Sequence, residues 1–369
     1  MSVGGGPFRR ALDDLVPYEP GKPIEEVRRE LGLDRVVKLA SNEGPFPPFP
    51  EALEAIERVS HDLNRYPDGG AWELRSALAA RHGVSLDEVI VGAGADGVID
   101  LLSQATLDPG DEIVCGWPSF PSYVLDAAKL GATSVKVPLR NHTYDLDATL
   151  DAIGERTKLV YLCHPNNPTG TANGRDELAS FLDRVPEHVL VVLDQAYFEY
   201  IDDPDYADGI AEHFARGRRI VVLRTFSKIY GLAGLRVGYG VAPPDVVAAT
   251  SKVRRAFDVA ATAQAAALAS IGGDEEIARR RAENAEGRAA IERALRAHGF
   301  ETAPSLGNFV YAEVGDGAAL FDQLLRRGVI VRPLAGFGAP AAIRVSVGTP
   351  EENAFFTDAL GHVLSGVSS

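Results

Sequence analysis

The sequence is short of cysteine and has no long apolar run. Its two cysteines, Cys115 and Cys163, each lie in a run of residues that predicts a buried strand, so we expect small core side chains there. Two such residues cannot build a disulfide framework or a thiolate metal site, and a reducing cytoplasm is expected. Apolar runs such as Val189–Leu193 are strand-sized, well below the ~18–20 residues of a membrane span. The N-terminal residues show no secretory-signal pattern, so no such signal is expected.

Basic side chains are also scarce. There are 37 lysines and arginines against 52 acidic residues, which gives a formal net charge of −15. This field argues against general nucleic-acid binding. Only seven of the basic residues are lysines, so few positions can supply a catalytic amine. Hydrophobic residues, in contrast, make up 46% of the 369 residues, which is enough for a sizeable core.

Residues 89–243 alternate short β-branched runs with helical or loop stretches. Several runs are apolar almost throughout, which is typical of strands buried on both faces. The alternation predicts an α/β fold with a mostly parallel central sheet flanked by helices, and ligands of such sheets bind beyond the carboxyl ends of the strands. The predicted strands are Val89–Gly92, Glu112–Trp117, Thr133–Pro138, Lys158–His164, Val189–Asp194, Arg219–Arg224 and Leu235–Val241, with helices such as Gly97–Ala105 and Arg175–Val185 between them.

The pattern changes after Pro243, and a smaller α+β unit is predicted from there to the end of the chain. Its helices are predicted at Asp274–His298, Gly317–Arg327 and Pro350–Ser365, and its strands at Asn308–Glu313, Val329–Pro333 and Ala342–Val347. The proline-rich first residues predict an arm rather than a domain. We therefore expect an arm (1–45) that packs with the small domain, a large ligand-binding domain (46–261) and a small C-terminal domain (262–369).

A glycine-rich turn follows the first strand of the predicted sheet. The stretch Gly92–Gly97 matches G-x-G-x-x-G, but a lone match is weak support for a dinucleotide site. A nicotinamide site also needs an acidic residue at the end of the next strand, whereas Asp111 and Glu112 lie at the start of that strand. Backbone N–H groups and a helix N-terminus still favour an anion, so the turn predicts phosphate binding. A purely structural tight turn is the alternative.

Side chains suited to one cofactor follow four of the predicted strands. Taken singly, each of these side chains has a more common explanation. A lysine in a glycine-rich loop is more often a surface residue, an aspartate at a strand end is more often a helix cap, and an aromatic residue is more often part of the core. Together they match pyridoxal phosphate, which needs an amine for its aldehyde carbon, a carboxylate for its ring nitrogen and an aromatic face for its ring. The residues are Lys228 with Thr225, Ser227 and Arg236; Asp194 with Tyr197; Asn167; and Phe120.

At these positions the sequence resembles the fold-type I aminotransferases of class I/II, most closely the branch that acts on histidinol phosphate. The resemblance covers nearly the whole chain. It rests on Pro17–Gly21, Leu39–Glu43, Arg65–Asp68, Asn166–Gly170, Asp194–Tyr197, Ser227–Lys228, Gly231–Arg236, Arg332 and Arg344. It implies pyridoxal 5′-phosphate as cofactor and a homodimer with shared active sites.

The resemblance also implies a role for each matching residue. The implied catalytic residues are Lys228, Asp194 and Tyr197. The implied cofactor-binding residues are these three with Ala95, Asp96, Phe120, Asn167, Thr225, Ser227, Arg236 and, reaching the neighbouring subunit's cofactor, Tyr66. The implied substrate-binding residues are Tyr18, Asn42, Arg332 and Arg344, and Arg344 would hold the substrate's anionic group.

The activity that this resemblance implies is transamination of histidinol phosphate with 2-oxoglutarate in histidine biosynthesis. An aromatic amino-acid aminotransferase remains the alternative, since both substrates carry a ring at one end and an anion at the other. A decarboxylase or oxidase on the same fold, a nicotinamide dehydrogenase and a non-catalytic protein are weaker alternatives. The last would be expected to lack Lys228 or Asp194, and both are present. The expected partners are small molecules, with neither nucleic acid nor a membrane involved.

Overall fold

The computed structural model describes residues 8–12, 15 and 21–366. The helices are α1 (Ile24–Leu31), α2 (Pro50–Ser60), α3 (Trp72–His82), α4 (Gly94–Thr106), α5 (Pro121–Leu130), α6 (Leu146–Asp151), α7 (Arg175–Arg184), α8 (Pro244–Val253), α9 (Ala261–Ser270), α10 (Asp274–Ala297), α11 (Gly317–Leu325) and α12 (Pro350–Leu364). The strands are β1 (Val37–Lys38), β2 (Val89–Gly92), β3 (Glu112–Trp117), β4 (Thr133–Pro138), β5 (Thr157–Cys163), β6 (Leu190–Asp194), β7 (Ile220–Thr225), β8 (Gly238–Val241), β9 (Glu301–Thr302), β10 (Phe309–Glu313), β11 (Val329–Ile330), β12 (Arg332–Pro333) and β13 (Ala342–Ser346).

A seven-stranded sheet forms the centre of the fold, in the order β2-β8-β7-β6-β5-β3-β4. The pairs from β7 to β4 are parallel, and β8 runs antiparallel to both of its neighbours, β7 and β2. Every residue of β6 and β7 is buried, as expected for central strands with helices on both faces. The predicted α/β architecture is therefore confirmed, and the strands β3, β5, β6 and β7 end at the same edge of the sheet.

The C-terminal part of the chain builds a second, smaller sheet. The antiparallel order is β12-β13-β10-β9. Its face packs on α10, α11 and α12 through a separate cluster of buried apolar side chains that includes Ile291, Leu295, Ile343 and Phe356. A capping box begins α12: the Thr349 hydroxyl accepts from the Glu352 N–H at 3.2 Å, which satisfies a backbone donor that the helix leaves unpaired.

The contacts of the arm and of α9 bear on the predicted division into domains. β1, from the arm, pairs in parallel with β11 next to the small sheet. Ala263, Ala266 and Ala267 of α9 belong to the same apolar cluster as the central sheet. These contacts group α9 with the central sheet and β1 with the C-terminal strand β11. The division at 45/46 and 261/262 stays a prediction.

Local backbone conformation explains where element bounds differ from those predicted. The strand predicted from Leu235 begins at Gly238, because Ala233–Leu235 is a short 3-10 turn and Arg236 is left-handed with φ +55°. The strand predicted at Val329–Pro333 is two strands, since β11 pairs with β1 whereas β12 pairs with β13. Within the described ranges, no helix combines the length and apolar character needed to cross a membrane.

Candidate active site

One pocket of about 150 Å³ lies at the carboxyl ends of the central strands. Adjacent strands supply its walls: Lys228 follows β7, Asp194 ends β6, Asn167 follows β5 and Phe120 follows β3. Because these strands are parallel neighbours, side chains far apart in sequence meet at one edge. Twelve of the residues predicted for the site line this pocket, namely Asn42, Ala95, Asp96, Phe120, Asn167, Asp194, Tyr197, Thr225, Ser227, Lys228, Arg236 and Arg344.

The Lys228 amine lies in a protein interior that favours its neutral form. Burial, helped by the positive charge of Arg344, lowers the pKa of Lys228 to about 8, although Glu43 and Asp194 act in the opposite direction. Its Nζ lies 5.6 Å from the centre of the Tyr197 ring. A lysine with such a pKa is partly unprotonated near neutral pH, so it can act as a nucleophile and as a base.

Asp194 is a buried carboxylate held by two hydrogen bonds. Its Oδ2 accepts from the Tyr123 hydroxyl at 2.6 Å and its Oδ1 accepts from the Ala196 N–H at 3.1 Å. Only 4% of its surface is exposed. Burial raises the pKa of Asp194, whereas the two hydrogen bonds and the Lys228 charge lower it. A second positive charge in the pocket would further favour the ionised form.

The glycine-rich turn and Arg236 form a cradle with little free space. Gly94 begins α4 with φ +80°, and a Cβ there would lie 2.8 Å from Arg236 Nη2. A Cβ on Gly238 would lie 2.3 Å from the Ala95 nitrogen. The guanidinium of Arg236 in turn donates to the Ser227 hydroxyl at 3.4 Å. These features place a cation, hydroxyls and a helix N-terminus around one point, an arrangement suited to a phosphate.

Arg344 and Asn42 close the side of the pocket that faces the small sheet. The Arg344 guanidinium donates to the Ala40 carbonyl at 2.7 Å and to the Asn167 side chain. Asn42 is buried with φ +53°, and its amide donates to the Tyr197 hydroxyl at 2.9 Å. Burial raises the pKa of Tyr197, so this residue carries a neutral hydroxyl.

Two predicted site residues lie elsewhere, and a third is not among the described residues. Tyr66 is 81% exposed and stacks on Phe257, with ring centres 4.5 Å apart. Arg332 is the cross-strand partner of Arg344 but is not part of the pocket wall. Tyr18 lies outside the described residues.

Sequence reasoning missed further residues at the site. Tyr123, Ser41, Cys163 and Phe337 contact Asp194 or line the pocket. Tyr123 lies on α5 three residues after Phe120, and this helical spacing is a signal that could have identified it. Phe337 lies on a turn between two strands of the small sheet, where no local pattern pointed to the pocket.

Comparison with known proteins defines the class. A family model for aminotransferase class I and II matches residues 34–360, so the chain belongs to this family. Among curated relatives, it is 47% identical to the histidinol-phosphate aminotransferase of Akkermansia muciniphila over 95% of this chain and 97% of that protein. It is 43% identical to the enzyme of the same name from Moorella thermoacetica over 97% of this chain and 93% of the relative.

Solved structures share the same architecture. The histidinol-phosphate aminotransferase of Sinorhizobium meliloti in complex with pyridoxal-5′-phosphate superposes with a TM-score of 0.89 at 28% identity, covering 98% of each chain. The aspartate aminotransferase of Thermus thermophilus with maleate gives a TM-score of 0.84 at 25% identity, over 98% of this chain and 99% of that one. The predicted fold and enzyme class are confirmed.

Proposed function

We propose that the protein is a pyridoxal-phosphate-dependent aminotransferase whose cofactor binds in the pocket at the strand ends. The observation that carries this proposal is the placement of Lys228 and Asp194, from neighbouring strands, in one pocket beside a phosphate cradle. The cradle fits the group, because glycine at 94 and 238 brings the backbone and Arg236 closer than any side chain would allow. When bound, pyridoxal phosphate supplies an electron sink for the charge that develops on the substrate's α-carbon.

Each wall of the pocket then has a role in holding the cofactor. Asp194 would hold the cofactor's ring nitrogen, and Phe120 would pack on the ring. Asn167 and Tyr197 would hold the ring oxygen. The backbone of Ala95 and Asp96, together with Thr225, Ser227 and Arg236, would hold the phosphate.

Lys228 would hold the cofactor and move the proton of the reaction. Its neutral amine is the group that would hold the cofactor's aldehyde carbon, and the same Nζ is placed to accept a proton from the substrate's α-carbon. A pKa near 8 serves both roles, since the amine loses its proton readily and regains it later in the cycle.

The amino donor that the site favours is histidinol phosphate, with 2-oxoglutarate as acceptor, as part of histidine biosynthesis. Arg344 binds the substrate's anionic group, and Arg332, directly opposite it across β12 and β13, adds a second guanidinium on the same face. Two arginines favour a phosphate dianion over a single carboxylate. The names of the curated relatives support the same substrate.

A homodimer would complete this site. Tyr66 and Phe257 form an exposed aromatic pair, and Leu63 and Trp72 are also exposed. Exposed apolar groups of this size are typical of an interface. In the dimer, Tyr66 would help to hold the phosphate of the partner's cofactor.

Mixed dimers test this sharing of sites. Dimers of Tyr66→Phe and Lys228→Ala subunits should regain part of the activity that each homodimer lacks, because both defects then fall in one site and the other is intact. An active monomer in light scattering would refute the shared site.

Covalent attachment tests the cofactor proposal. Borohydride treatment of the holoenzyme should fix the cofactor to the protein, and peptide mass spectrometry should place it on Lys228. The control is Lys252→Ala, since Lys252 is exposed on α8 and should not affect labelling. Labelling of another lysine, or unchanged labelling in Lys228→Ala, would refute the assignment.

We also propose a cytoplasmic location. Both cysteines are buried free thiols, as expected for a protein of a reducing compartment. Cell fractionation tests this, and recovery of the protein with secreted or membrane fractions would contradict it.

A further inference from the structure

The turn between β12 and β13 brings a phenylalanine into the pocket. Ala335–Phe337 forms a short 3-10 turn, and Phe337 is only 2% exposed. Its ring lines the same pocket as Lys228 and Arg344. The site therefore has an aromatic wall that comes from the small sheet rather than from the cofactor-binding strands.

The Phe337 ring lies against two arginines at once. The guanidinium carbons of Arg332 and Arg344 are each 5.5 Å from the ring centre, within the range of a cation–π interaction. The two arginines are directly paired across the strands, where like charges repel each other. We expect the negative face of the ring to offset part of this repulsion. A cation–π contact uses the charge of the guanidinium rather than its N–H groups.

Gly338, directly after this phenylalanine, packs closely against the central sheet. It has φ +87°, and a Cβ there would lie 2.2 Å from the indole Nε1 of Trp117, the last residue of β3. The Lys136 ammonium lies 4.3 Å from the centre of the Trp117 ring system on the same edge of the central sheet. Gly336, two residues earlier, has open space around its Cβ position and no left-handed backbone. Only the second glycine of the turn is therefore required by packing.

We propose that Phe337 is a specificity-determining residue that holds Arg332 and Arg344 together as a binding site for a phosphate monoester, and that Gly338 positions it by seating the turn on Trp117. This inference rests on the proposed function, since it assumes that these arginines bind the donor's anionic group. A phosphate dianion uses both guanidiniums, whereas a carboxylate can be held by Arg344 alone. Loss of the ring should therefore affect donors with a phosphate more than donors with only a carboxylate.

Phe337→Leu and Phe337→Tyr separate the ring from the volume that it fills. Single-turnover kinetics of the holoenzyme with histidinol phosphate and with glutamate give the concentration dependence and the maximal rate for each donor. In Phe337→Leu we expect the half-saturating concentration of histidinol phosphate to rise about tenfold, with the glutamate value within about threefold and both maximal rates nearly unchanged. Phe337→Tyr keeps an aromatic face and should restore most of the affinity for histidinol phosphate that Phe337→Leu loses.

Two glycine variants provide the matched comparison. Gly338→Ala should reproduce the defect of Phe337→Leu, because the new Cβ displaces the turn from Trp117. Gly336→Ala should leave both donors unaffected. Equal losses on the two donors, no loss on histidinol phosphate, or the same behaviour of the two glycine variants would overturn the inference.

Inorganic phosphate separates this inference from the proposed function. As a competitive inhibitor of the glutamate reaction, phosphate should bind Phe337→Leu about tenfold more weakly than the wild type. A wild-type enzyme that uses glutamate but not histidinol phosphate would refute the proposed substrate, while a phosphate effect would still support the role of Phe337. If phosphate inhibits the wild type and Phe337→Leu equally, or inhibits neither protein, the role of Phe337 is refuted even if histidinol phosphate is a good donor.

Discussion

Removal of the Tyr123 hydroxyl is a sharp test of how the pocket keeps Asp194 ionised. The hydroxyl donates to Asp194 Oδ2 at 2.6 Å, and the other carboxylate oxygen has the Ala196 N–H as donor. Both side chains are buried. Tyr123→Phe keeps the ring and removes only the hydroxyl, so the substitution should leave the packing of α5 on the sheet intact.

The size of the effect follows from the charge on the acceptor. A hydrogen bond to a charged group contributes about 1.5–3 kcal/mol, which corresponds to a rate loss of about 10- to 160-fold on the acidic limb if Asp194 acts only when ionised. The Tyr123 bond lowers the pKa of Asp194. Its loss raises that pKa, so the acidic limb of the pH–rate profile should move to higher pH.

Tyr161→Phe is the matched control. The Tyr161 ring is stacked parallel to that of Tyr123 at 4.3 Å, but its hydroxyl bonds with Ser103 at 3.2 Å. Cofactor absorbance in single turnovers with the amino donor gives the rate for both variants across pH. A Tyr123→Phe rate within about threefold of the wild type, or equal to that of Tyr161→Phe, would refute the reasoning.

The other predictions concern the two central residues. Asp194→Asn should keep the absorbance of the bound cofactor but lose about 2–4 kcal/mol of transition-state stabilisation, which is roughly two to three decades in rate. A rate within about threefold of the wild type would show that Asp194 is only a structural cap. In the cofactor-free folded protein, the pKa of Lys228 is about 8, below its usual value of 10.5. Between pH 8 and pH 10.5 the unfolded chain therefore binds more protons at this lysine than the folded chain does. In urea titrations, the free energy of unfolding should therefore rise from pH 8 to pH 10.5, by about 3 kcal/mol at most relative to Lys228→Met. The same pH dependence in the wild type and in Lys228→Met would contradict this.

Much of the site could be predicted because its residues lie at the ends of recognisable strands. Lys228 and Asp194 directly follow or end runs of buried apolar residues, and parallel strands bring such ends together. The chemical types of the side chains then indicated the cofactor. These inferences needed only local patterns and one general rule of α/β folds.

Residues placed by tertiary packing could not be predicted in the same way. Tyr123 contacts Asp194 because α5 lies over the sheet, and Phe337 reaches the pocket because its turn is seated on Trp117. The residues from Val329 to Pro333 form an unbroken extended pattern, but the chain changes partner within it. Partner choice depends on distant strands, which a local pattern does not contain.

The most direct test of the account is the single-turnover rate of the holoenzyme with a panel of donors. Histidinol phosphate, phenylalanine, tyrosine, histidine and glutamate are each mixed with the enzyme, and loss of the cofactor's aldehyde form is followed by absorbance. The account predicts that histidinol phosphate reacts with the highest ratio of rate to half-saturating concentration, and that Lys228→Ala shows no conversion with any donor. A wild-type enzyme that prefers phenylalanine tenfold would contradict it and identify an aromatic amino-acid aminotransferase.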